Sequence, residues 1–190
     1  FQAILNGTNY PYTLLETVVR RVCTDSDTDS NNKIKINEVR AGLIKAFINR
    51  KARLNGDKEE ITMSLDKENK NPAYLCGRLF AVLEKIQLEA TDVKLNRTIK
   101  DAYFSSASSR PALIMPRLID LSNYHLRKLK EGRAIDFSKL INEIMGKIKD
   151  SLPTNLSIME KGKFQLGYFQ QNKDFFAEQN KNEEPETVNE

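Results

Sequence analysis

From Asn71 to Ala90 the chain reads NPAYLCGRLFAVLEKIQLEA, with Leu75, Leu79, Val82, Leu83 and Ile86 recurring at steps of three and four residues. That recurrence is the period of an α-helix and not of a strand, and Pro72 suits a first turn, where its missing N–H has no helical partner to lose. The same period returns along most of the chain. Leu14, Leu15, Val18, Val19 and Val22 predict a helix over 11–24, and Val39, Leu43, Ile44, Phe47 and Ile48 predict another from about Asn37 to Lys51. A short helix is expected near Arg97 to Tyr103. A long one follows from about Pro111 to Lys130 with Leu113, Leu118, Leu121, His125 and Leu129 as its apolar stripe, and with Pro116 as a kink or as its true start. Gly132 is read as its stop, and Phe137, Leu140, Ile141, Ile144 and Ile148 as the next helix. Ser157 and Glu160 have capping-box spacing for a last helix carrying Phe164, Tyr168, Phe169, Phe175 and Phe176. No segment alternates as a strand would, so the expected fold is all-α, a helical bundle of about six to seven helices.

The stretch 52–70 is charged and rich in Asn, which places a boundary there. The expected organisation is a helical pair with an acidic connecting loop over 1–62, a bundle over 63–178, and a short disordered acidic tail over 179–190. Position 1 is Phe and patterned sequence begins at once, which suggests a piece of a longer protein. The apolar runs are interrupted well before the roughly 20 residues needed to cross a bilayer, so no membrane partner is expected. Cys23 and Cys76 have no CxxC spacing, and the cytoplasm is the expected compartment.

Charge is segregated. Residues 71–149 carry 14 Lys/Arg against 8 Asp/Glu, net +6, whereas 150–190 carry 4 against 8, net −4. A basic middle is the electrostatic footprint of a phosphate-backbone partner, though helical surfaces of this kind also occur in proteins that bind none. Arg117, Tyr124 and Lys128 are spaced 7 and 4 apart and share one helix face, flanked by Arg127 and Lys130. They make a cationic face with one stacking ring. Upstream, Ser105 to Arg110 is a run of small residues before a helix start, which suits a phosphate through amides, hydroxyls and the guanidinium. The bland alternative is a solvated face with an ordinary N-terminus.

Chemistry of other kinds has less to work with. Asp27, Asp29, Asn31, Lys33, Lys35 and Glu38 fall on the ligand positions of a calcium-binding loop, but Asn32 replaces its glycine and Lys35 opposes a divalent ion, so no metal is expected. His125, the only histidine, lies on an apolar stripe and reads as a core or boundary residue. Cys76 sits among Leu75, Gly77 and Leu79 and reads as packed. The eight glycines form no phosphate-binding loop. The expectation is a non-enzyme without a cofactor.

Three blocks, NPAYLCGRLFAVLEKIQ from Asn71, RTIKDAYFSSASSRPALIMPRLIDLSNYHLRKL from Arg97 and LGYFQQNKDFF from Leu166, resemble the C-terminal region of the large subunit of type I-C (Dvulg subtype) CRISPR effector complexes, Cascade. The opening ILNGTNYPYTLLETVVRR and the later AGLIKAFINRK are similar to the region just before it, so the resemblance covers about residues 1–178. It implies a small-subunit-like helical domain beside the guide RNA and the target-DNA R-loop in antiviral defence. Its implied partners are the backbone and small subunits of Cascade and the helicase-nuclease that the complex recruits. In this subtype the small subunit is made from an internal start, and Met63 stands where one is plausible. The acidic insert 24–32 departs from the family's pattern. Recognition of the protospacer-adjacent motif belongs to an upstream part and is not carried over. Within the blocks, Arg78, Arg97, Lys100, Arg110, Arg117, Arg127 and Lys128 are the expected phosphate contacts, with Tyr124 beside them; Arg78 could equally pair with an acid inside the bundle. The expected role is non-catalytic holding of R-loop strands by their backbones, against the alternatives of a purely protein–protein scaffold and, more remotely, a calcium-binding module.

Overall fold

In the computed structural model, residues 39–46, 48–49, 64–91, 97–149 and 151–183 are described. Among them the chain is helical and shows no strand. Residues 39–46 and 48–49 form α1, followed by α2 (Pro72–Glu89), α3 (Ile99–Ala107), α4 (Pro111–Leu126), α5 (Glu131–Lys147) and α6 (Ile158–Glu183). The expected helix over 11–24, the acidic loop with its calcium-like spacing, Cys23 and Met63 all lie outside the described residues. None of the described helices is long and apolar enough to cross a membrane.

Three helix starts are set by short polar side chains, the one at α6 as the sequence leads one to expect. The Asn71 side chain accepts from the amides of Ala73 and Tyr74 at the head of α2. Thr98 and Asp101 form a reciprocal box at the head of α3, and Ser157 and Glu160 form another at α6, where the Ser157 amide donates to Glu160 Oε2 at 2.7 Å. Each carboxyl is held below its ordinary range, Asp101 by the Thr98 amide and hydroxyl and Glu160 by those of Ser157.

Two expectations at helix ends change. Gly132 does not stop a helix: α5 already begins at Glu131, and space around Gly132 is open. Residues 179–183, expected to open a disordered tail, are helical instead, and 184–190 lie outside the described residues. Pro116 neither starts nor ends α4 but lies inside it, exposed. An interior proline removes one i→i−4 hydrogen bond, here on a helix position that is exposed.

α2 is the axis of the bundle. It packs against α3, α4, α5 and α6, with α6 as its principal neighbour. A single apolar stripe is the sequence expectation for α2, yet it is buried almost all round, including the polar Arg78, Glu84 and Gln87. The period finds apolar residues only; it cannot show that polar side chains on the other face are matched by partners. Tyr74 O–H donates to Gln170 Oε1, Tyr168 O–H to Glu84 Oε2 at 2.6 Å, and the Ile99 amide to Gln87 Oε1 at 2.8 Å.

The α2–α6 pair is close because glycine meets backbone on both sides. A Cβ on Gly77 would stand 1.8 Å from the Phe164 carbonyl oxygen, and one on Gly167 would stand 2.2 Å from that of Tyr74. Around this crossing Phe80, Phe104, Phe164 and Tyr168 meet edge to face with centroids 4.9–6.0 Å apart. Each fully buried ring of this kind contributes roughly 1.5–3 kcal/mol by leaving water. Ala41, Ile44 and Ile48 of α1 join the same core, and the Arg40 guanidinium lies 5.3 Å from the Phe169 ring centre.

Candidate nucleic-acid interface

α4 touches α2 and α3 and buries Pro111, Met115, Leu118 and Ser122. That buried row differs from the predicted stripe. Leu113 is 66% and Leu121 40% exposed, and they stand on the same side as Arg117, Tyr124 and Lys128. At about 100° per residue, positions 113, 117, 121 and 124 fall within about 80° of one another, and Lys128, in the turn after α4, reaches back over the Tyr124 ring. The sequence placed Arg117, Tyr124 and Lys128 opposite part of the leucine stripe, because Leu113 and Leu121 are spaced like core residues. The small Met115–Leu118–Ser122 row fills the space beside α2 instead.

On this outer face Tyr124 is 56% exposed, with the Lys128 ammonium 4.5 Å from its ring centre. The Arg117 guanidinium lies 5.9 Å from the ring centre of Tyr103 on α3. Both cations are attracted to the negative faces of the rings, which fixes them without neutralising them. Arg97, Arg110, Arg117, Arg127 and Lys128 are exposed and form no ion pair among the described residues. Asp120 shares the outer face and reduces its net charge.

The loop Ser105–Arg110 does not offer a free helix start. The Ala112 amide donates to the Pro153 carbonyl at 3.0 Å, the Leu113 amide to Arg110 O at 3.1 Å, and the Leu156 amide to Ser109 O at 2.9 Å. Ser108 turns its hydroxyl to Ser105 O at 2.9 Å. The segment 151–157 therefore covers this end, and of the predicted phosphate groups there the Arg110, Ser105 and Ser106 side chains are exposed while Ser108 is buried.

Two predicted contacts lie inward. The Lys100 ammonium sits over the rings of Tyr168 and Phe169, 5.1 and 5.8 Å from their centres, and near the buried Glu84. Arg78 is 0% exposed and meets neither the expected phosphate nor the alternative acid but an amide: its Nε donates to Gln171 Oε1 at 3.0 Å and its Nη1 to Lys67 O at 3.5 Å. His125 is half-buried next to Tyr124, and burial, followed by Lys128, holds its imidazole below the ordinary range. It is therefore neutral at pH 7 and adds nothing to the cationic face. The sequence missed the chelated pair of Arg133 with Glu89, whose two bonds are each 2.9 Å. A spacing of 44 residues gives no local signal for it.

The family model described as CRISPR-associated protein (Cas_Csd1) matches residues 1–176 of the chain. No curated protein matches it.

Proposed function

The chain belongs to the Cas_Csd1 family of CRISPR-associated proteins, and from that premise we propose that it is a non-catalytic module that holds DNA strands by their backbones in a type I-C surveillance complex. The observation that carries this reading is the outer face of α4, where Arg117 and Lys128 are exposed, ring-supported and without an acidic partner among the described residues. Cations fixed against rings lose little freedom on meeting a phosphate, and Tyr124 offers a stacking surface to an unpaired base. Arg127, Arg110 and Arg97 extend the positive surface beyond the stripe. The contacts this face offers are to phosphates and to the flat of a base, so binding through it is indifferent to sequence and sensitive to salt.

The test is fluorescence anisotropy of the chain with single-stranded and duplex DNA over a salt series. Binding that falls steeply with salt, and that is weakened by Arg117→Ala with Lys128→Ala at unchanged helical circular dichroism, supports the proposal. A second reading rests on Leu113 and Leu121: two exposed leucines between the cations also suit a protein neighbour in the complex. Absence of DNA binding even at low salt, together with loss of complex assembly in a Leu113→Ser, Leu121→Ser variant, would favour that scaffold role.

A further inference from the structure

The cleft beside Arg78, between α2, α5 and α6, has a volume of about 250 Å³ and is separate from the α4 face. Arg78 lines it with two of its three nitrogens engaged, while its buried Nη2 has no hydrogen-bond partner. A buried donor on a cation is costly to leave unmet, so the position calls for an acceptor. Glu143 lines the cleft too, but the Lys147 ammonium holds its Oε1 at 2.9 Å and it makes no hydrogen bond to Nη2. Asp136 and Asp174 line the same cleft, and neither forms an ion pair among the described residues. Phe137 and Phe175 supply its apolar wall, with ring centres 6.3 Å apart.

These groups narrow the ligand. The cleft's charges are mixed, with Lys67 and Arg133 beside Arg78 and with Asp136, Glu143 and Asp174 against them, so a phosphate would satisfy Nη2 but also meet carboxylates, and an aliphatic side chain would leave every polar group unmet. A flat ring that shows an acceptor next to donors answers both Nη2 and the carboxylates. Guanine does so, with O6 and N7 as acceptors for an arginine and N1–H and the exocyclic amine as donors to a carboxylate. We propose that this cleft takes one unpaired guanine base, with Arg78 donating to O6, Asp136 or Asp174 accepting from the N1–H and amine edge, and the ring set against Phe137 and Phe175. The proposal rests on the nucleic-acid reading above for delivery of the strand, and it adds a base preference to backbone binding that has none.

Anisotropy with a fluorescent all-thymine 12-mer and the same strand carrying one central dG tests it, using the whole 190-residue chain. The dG strand is expected to bind about tenfold more tightly, the worth of one good base-edge pair. Asp136→Asn with Asp174→Asn removes that advantage. Losing two negative charges would if anything tighten the all-thymine strand, so a vanished preference cannot come from weaker backbone binding. Equal affinity for the two strands, or an equal gain from a central dC, overturns the guanine site and leaves the α4 proposal standing. If neither strand binds, the α4 proposal fails, and the cleft is judged by melting with 2′-deoxyguanosine against thymidine. A rise in Tm with the former alone, absent in the double variant, supports the site; no rise overturns it.

Discussion

Glu84 shows how one residue can carry a pH dependence that the sequence hides. It is 7% exposed and accepts from Tyr168 O–H, and burial holds its carboxyl above the ordinary range despite the opposing pull of that hydroxyl and of Lys100. A carboxyl raised in the folded state stabilises the fold fully below its unfolded pKa, and that stability is lost as pH rises through the raised value. Glu84→Gln keeps an oxygen for Tyr168 and removes the charge. Its Tm is therefore expected above that of the parent chain at about pH 8, with the gap closing toward about pH 4, in paired thermal melts. A gap of constant size would show that the carboxylate is not the cause. Cys76 gives a second residue-scale outcome. Burial pushes its thiol up to about 12, which leaves the thiolate about a thousandfold scarcer at pH 8 than in an ordinary cysteine. Iodoacetamide followed by peptide mapping should find Cys76 unmodified in the folded chain and modified in denaturant. The packed state of Cys76 was legible from its apolar neighbours. The partners of Arg78, Glu84 and Lys100 were not, because Gln171, Tyr168 and Phe169 lie more than 60 residues away.

The helices themselves were the most legible level, since period and caps are local properties: α2 and α6 begin where Pro72 and Ser157 placed them. What joins the helices was not legible. Gly77 and Gly167 looked like scattered glycines, each a small liability in a helix, and only the α2–α6 crossing shows why no larger residue fits. The atoms in the way are backbone carbonyls, which no rotamer change can move. Gly77→Ala or Gly167→Ala therefore forces the two central helices apart, at a cost of about 3 kcal/mol or more, the upper end of overpacking. For a chain of this size that lowers Tm by roughly 6–12 °C. Gly146→Ala in α5 is the internal comparison, because nothing lies within 4 Å of the added Cβ. It should raise Tm by about 1–2 °C through lower unfolded-state entropy. If all three alanine variants melted alike, close approach at the crossing would not be what the glycines provide.

At the scale of the whole molecule, sequence charge located the basic middle but could not say which of its cations remain free. Folding enclosed Arg78, turned Lys100 onto rings and tied Arg133 to Glu89, leaving Arg97, Arg110, Arg117, Arg127 and Lys128 on the surface together with Lys130, Lys139 and Lys149. Salt dependence separates a local site from a general attraction to a chain of net charge +4. Each phosphate neutralised on a single strand adds about −0.7 to the slope of log K against log salt, so five such contacts predict a slope near about −3.5. Arg117→Ala with Lys128→Ala removes two of them, and the slope should become shallower by about 1.4. Lys139→Ala with Lys149→Ala removes the same charge from exposed positions in α5 and just past its end, away from the α4 stripe. A site on α4 leaves the slope of that second variant near the parent value, with K changed only slightly through the weaker overall field. Equal loss of slope in both variants would mean that the strand samples the whole basic surface, and that the ring-supported pair on α4 has no privileged part in holding it.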